Sequence, residues 1–151
     1  MSPPPGHGTD LAALAAGLPS VQFLLHHFGW AKAGSVETPT RLSSLLAASN
    51  QPNICIKISG VHCASARFWD FPVPDTAEIV GQLVATCAAR RLLLGSDFPA
   101  SVVKVTHSQF LEVPQMLFPA STAADRALLM GDNLARIIDE TRPFDLRAMS
   151  S

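Results

Sequence analysis

Three apolar runs each stop at a polar residue, and the spacing of those stops restricts the fold more than any other feature of the chain. The runs are VQFLLHHFG from Val21, NICIKISG from Asn53 and RLLLGSDFP from Arg91. Their polar ends, His27, Ser59 and Asp97, lie 32 and 38 residues apart, and each interval is long enough for a strand–helix–strand crossover of about 30 residues. Helical patterns fill the intervals, so the order predicts parallel strands joined by right-handed crossovers. Such an arrangement gathers an imidazole, an amine or hydroxyl, and a carboxylate at one sheet edge. The third ending, GSDFP, has two readings. It is a strand closing in a turn, because Gly95, Asp97 and Pro99 all favour turns, or it is a strand delivering a carboxylate to a rim that carries chemistry.

The elements follow from local pattern. Leu11 to Ala16 suits a short helix, and Val21 to His27 a strand. A second helix starts near Thr40, with Leu42, Leu45 and Leu46 on one face, and ends at Asn50 to Pro52. In NICIKISG, Ile54, Ile56 and Ile58 point one way and Cys55, Lys57 and Ser59 the other; the isoleucines are expected under covering helices. Asp75 and Glu78 form a candidate capping box for a third helix, whose apolar face carries Ile79, Val80, Leu83, Val84 and Cys87 and which Arg90 and Arg91 close. After the third strand, Phe98 to about Ala120 reads as a long proline-bearing loop. Thr122 to Glu140 reads as helical, divided at Gly131-Asp132-Asn133.

Composition removes several functional classes. With 48% apolar and 15% charged residues, the 151-residue chain has the makings of one buried core. A mean hydropathy of +0.25 is spread too evenly for a membrane span. A net charge of −1 leaves no basic footprint for nucleic acid. The expected partner is a small-molecule substrate, with neither nucleic acid nor membrane. Three scattered cysteines, Cys55, Cys63 and Cys87, argue against a disulfide framework and for a reducing, cytoplasmic setting; the N-terminus lacks the basic region of a secretory signal. The spacing of Cys55, His62 and Cys63 matches no usual structural zinc site, so the cysteines are read as small core residues. His62 and His107 are placed in loops as solvated side chains. Arg67, Phe68 and Trp69 either meet an anionic or planar substrate or form an amphipathic loop packed on the domain, and the second reading is preferred.

Four segments, HHFG at 26–29, NICIKISG at 53–60, LLLGSDFP at 92–99 and GDNLARII at 131–138, resemble successive landmarks of the amidohydrolase-related family, in the branch of dicarboxylate lactonases and aminocarboxymuconate-semialdehyde-type decarboxylases. The resemblance implies an α/β fold, the C-terminal portion of a (β/α)8 TIM barrel with about three parallel strands and flanking helices. The implied organisation is a tail over 1–10, a partial barrel over 11–140 and a second tail over 141–151. It implies catalytic and metal-binding roles for His27 and Asp97, and places Lys57 and Ser59 at the substrate. His26 would point to the opposite face, since neighbours on a strand alternate. The implied cofactor is a divalent metal, zinc above all. The family's His-x-His pair does not occur here, and His7 is either a fifth-strand ligand or part of a flexible tail.

The function that follows is a metal-dependent hydrolase acting on a small carboxylate, lactone or amide, in an incomplete copy of the catalytic barrel. The alternative is a non-catalytic truncated barrel serving as a structural or interaction module. Three strands leave two open edges, so self-association is also expected.

Overall fold

The computed structural model describes residues 8–141; the expected tails beyond those limits, and His7, lie outside the described residues. Three parallel strands, β1 (Phe23–His26), β2 (Ile54–Ser59) and β3 (Leu92–Gly95), form one sheet in the order β1-β2-β3. Helices α1 (Gly8–Gly17), α2 (Thr38–Ala48), α4 (Ala77–Thr86), α5 (His107–Leu117), α6 (Ala123–Ala127) and α7 (Asn133–Glu140) surround it, and a single turn, α3 (Val61–Ala64), follows β2. This is the expected α/β architecture. Among the described residues no helix is long and apolar enough to cross a membrane.

Period-two alternation settles the two faces of the sheet. Ile54, Ile56 and Ile58 are fully buried, together with Leu25 and Leu92, against Leu42 and Leu45 of α2, Ile79, Val80 and Leu83 of α4, and Val113 of α5. Burying each isoleucine contributes roughly 1.5–3 kcal/mol, which makes this helix-covered face the main core. On the other face Cys55 and Leu93 pack against Ile137 of α7, while Lys57 is only partly buried. The strand register places Leu24 beside Cys55 and His26 beside Lys57, and Lys57 in turn beside Leu93. This second face is thus covered at one end and polar at the other.

Several local expectations are corrected. Asp75 does not cap α4; its carboxylate accepts bonds from Ser65 Oγ (2.7 Å) and the Ala66 amide (2.9 Å), tying down the preceding loop. Val84 is 41% exposed, because the helix turns it outside the sheet-facing stripe. The expected loop after β3 contains α5, in spite of Pro114. A capping box between Thr106 and Gln109 starts the helix, and burial of Phe110, Val113, Pro114 and Leu117 offsets the missing amide donor. The Gly131-Asp132-Asn133 step does divide the last helical region into two α-helices, with the backbone staying helical across it. Leu128–Asp132 widens into a π-helical turn between α6 and α7. There Asn133 is fully buried, and its side-chain amide donates to Ala89 O and Leu92 O at 2.8 Å each, anchoring the helix to β3.

Candidate active site at the sheet rim

Each strand ends in a backbone turn that redirects a side chain. At the end of β1 the chain enters the left-handed region, with φ of 58° at His27, 52° at Phe28, 63° at Gly29 and 65° at Trp30. This breaks the alternation that would send His26 and His27 to opposite faces. His26 points with Lys57 toward the less covered face, and the His27 ring lies 4.8 Å from it, so the expectation that His26 faces the other way is corrected. Burial lowers the His26 pKa from its ordinary value, and the nearby His27 and Lys57 act in the same direction.

At the end of β2, Gly60 adopts φ 65° and starts α3. A Cβ at this position would lie 2.9 Å from His27 Nδ1 and 3.3 Å from Asp97 Oδ2, so glycine is what lets the three strand ends converge. Ser59, expected at the substrate, is instead fully buried; its hydroxyl lies 3.2 Å from His27 Nδ1 and accepts from the His27 amide at 3.4 Å. Beyond β3, Asp97 also adopts a left-handed φ of 61°. Its side chain is not consumed by a local turn. Oδ1 lies 3.8 Å from His27 Nε2, and Oδ2 lies 3.8 Å from His62 Nε2.

Lys57 stands one residue pair earlier on the same face as Ser59, with its stem across Gly95, where an added Cβ would meet Lys57 Cδ at 3.0 Å. A cavity of about 310 Å3 opens beside the rim, lined by His27, Trp30, Gly60, Cys63 and Asp97 among others. Half-exposed Trp30 places its ring 4.9 Å from that of His27. In the loop after α3, Phe68 and Trp69 are exposed, Lys104 stands over the Phe68 ring at 4.4 Å, and Arg67 pairs with Asp70; the loop packs on the domain through Phe71 and Val73 further along, not through Arg67 or Trp69.

Two residues set aside in the sequence belong to this rim. His62 is 2% exposed rather than solvated, and its Nε2 has no hydrogen-bond partner. Burial lowers its pKa, opposed by the Asp97 charge. Cys63 is exposed rather than in the core, and a donor atom from each of His62, Cys63 and Asp97 lies within 4.8 Å of the others. The signal that reveals them is Gly60: a glycine closing a strand turns the chain back over the strand end, so that Val61 enters the core and the two residues after it, His62 and Cys63, reach the rim. His107 is exposed, at the first turn of α5 rather than in a loop.

The donor set suits a borderline divalent ion, since zinc takes imidazole, carboxylate and thiolate ligands. Two donors each about 2.0–2.1 Å from a tetrahedral ion lie about 3.4 Å apart, close to the 3.8 Å seen on each side of Asp97.

Comparisons with known proteins agree with this architecture. An amidohydrolase from Burkholderia multivorans, solved with bound zinc, aligns with a TM-score of 0.71 at 20% identity over 86% of this chain and 48% of its own. A putative 2-pyrone-4,6-dicarboxylic acid hydrolase from Pseudomonas putida aligns with a TM-score of 0.65 at 22% identity, over 88% of this chain and 49% of its own. A probable hydrolase of the same description from Acinetobacter baumannii, with citric acid bound, gives 0.62 at 17% identity over 87% and 49%. The chain thus spans about half the length of these structures, as a partial TIM barrel does. No curated protein matches it. The family model described as Amidohydrolase matches residues 6–139, nearly the whole of the described fold, and the chain belongs to the amidohydrolase family.

Proposed function

We propose that this rim is the catalytic edge of a metal-dependent hydrolase acting on a small carboxylate, lactone or amide. The observation that carries the reading is Asp97, whose two carboxylate oxygens each face a different imidazole at 3.8 Å. A carboxylate held in this way is placed to take a proton from an attacking water. His27 is oriented by Ser59 on Nδ1, so its Nε2 is directed at Asp97 and at the cavity mouth, where it can bind or protonate a substrate oxygen. Ser59 therefore acts on His27 and not on the substrate. Lys57, on the same face, supplies a cation for an anionic substrate; a pyrone dicarboxylate, named for two of the similar structures, is a cyclic ester with two such groups.

The ion would be held by Asp97 with an imidazole on either side, His27 or His62. When bound, a divalent metal lowers the pKa of its water to about 7 and polarises the scissile carbonyl. The test is hydrolysis of a panel of small lactones, amides and cyclic dicarboxylate esters by the zinc-supplemented chain, beside Asp97→Asn and His27→Ala. Each variant is expected to lose roughly 10²-fold or more in turnover, the usual weight of a positioned acid or base. An Asp97→Asn protein with parental activity would refute the assignment.

A further inference from the structure

We propose that His62 Nε2, Cys63 Sγ and the Asp97 carboxylate form a thiolate-bearing site for a zinc-type divalent ion, with His27 beside it and outside the ligand set. The proposal rests on the reading of Asp97 given above and adds two ligands from α3.

The first observation is the cluster itself: one donor atom from each of the three residues, all within 4.8 Å of one another. The second is independent of it. His62 is 2% exposed, yet its Nε2 has no hydrogen-bond partner and points at Asp97 Oδ2 across 3.8 Å. That gap is too long for a hydrogen bond. Buried ring nitrogens are nearly always satisfied, and one left open toward a carboxylate and a thiol has the arrangement of a ligand without its ion.

The geometry also separates the roles of the two histidines. Asp97 turns Oδ2 to His62 and Oδ1 to His27, so the imidazoles flank opposite sides of the carboxylate. Cys63 falls on the His62 side through its place in the turn that Gly60 starts. Three protein donors are the usual complement of a catalytic zinc, whose fourth position is left for water or substrate. Cys63 and Asp97 both line the cavity of about 310 Å3, which gives that fourth position access. One sulfur, one nitrogen and one carboxylate select zinc or cobalt over magnesium or calcium, which prefer oxygen-only shells.

Cobalt(II) substitution tests the proposal. The chain is purified under reducing conditions, stripped with chelator and titrated with cobalt. Binding of one cobalt per chain is expected, with the near-ultraviolet charge-transfer band of a cobalt–thiolate bond. Cys63 is exposed, so Cys63→Ser leaves the core untouched. That variant should abolish the band and weaken zinc binding, measured by chelator competition, by at least the roughly tenfold that losing even an outer partner causes. His27→Ala and Cys87→Ala should keep the band. Cobalt bound without the band, a band that survives Cys63→Ser, or no stoichiometric binding would each overturn the site. The hydrolysis assay on Asp97→Asn reads the functional assignment separately: lost turnover with no thiolate band leaves that assignment standing, and an intact band with unchanged turnover leaves only the metal site.

Discussion

Gly60 is the residue on which the geometry of the rim turns. Its left-handed φ of 65° disfavours a side chain, and an added Cβ would sit 2.9 Å from His27 Nδ1. Gly60→Ala is therefore expected to lower stability by about 1–3 kcal/mol, the usual weight of a strained left-handed residue, and to push His27 off Ser59. Urea unfolding and the hydrolysis assay read the two effects together; an alanine variant with parental midpoint and turnover would show that the close approach is not needed. The same residue explains why His62 was misplaced from sequence. Its burial depends on how the chain leaves Gly60 and on the arrival of Asp97 from the next strand, and neither is a property of the VHCA segment itself.

Among the elements, those governed by local periodicity were legible and those governed by compensation were not. Alternation in NICIKISG placed the three isoleucines under the helices because the strand period is a property of the backbone. Helix α5 was hidden by Pro114, whose cost is met by tertiary burial of Phe110, Val113 and Leu117; only the Thr106–Gln109 cap announced it. Of the site, His27 and Asp97 were visible as strand endings, whereas the duty of Ser59 toward His27 depends on a contact across 32 residues. The cap on α6 carries its own prediction. Thr122 donates from its hydroxyl and its amide to Asp125, and these bonds hold the Asp125 pKa below its ordinary value of 3.8. A carboxyl depressed in the folded state adds stability above its unfolded pKa and loses it as pH falls through the folded one. Asp125→Ala should thus unfold earlier than the parent at neutral pH, and the two should converge in stronger acid. A difference that persists undiminished below the carboxylate range would rule out the ionised cap.

For the whole molecule, the decisive feature is a sheet of three parallel strands whose outer edges, on β1 and β3, pair with no further strand among the described residues. Leu24, on the less covered face of β1, is 40% exposed. Open parallel edges beside apolar surface are templates for association, so the chain is expected to self-associate in a concentration-dependent manner. Sedimentation velocity over a concentration series decides this; a single monomeric species that unfolds cooperatively would count against it. The backbone around the rim has a broader consequence. Of the five non-glycine residues with positive φ among the described residues, His27, Phe28, Trp30 and Asp97 all belong to the two strand ends that carry the site, and each such conformation costs a chiral residue on the order of 1 kcal/mol or more. Selection for folding alone would favour glycine or asparagine at these places. A copy of this gene released from selection for chemistry would therefore drift at the rim first, and the erosion would make the surviving fold more stable.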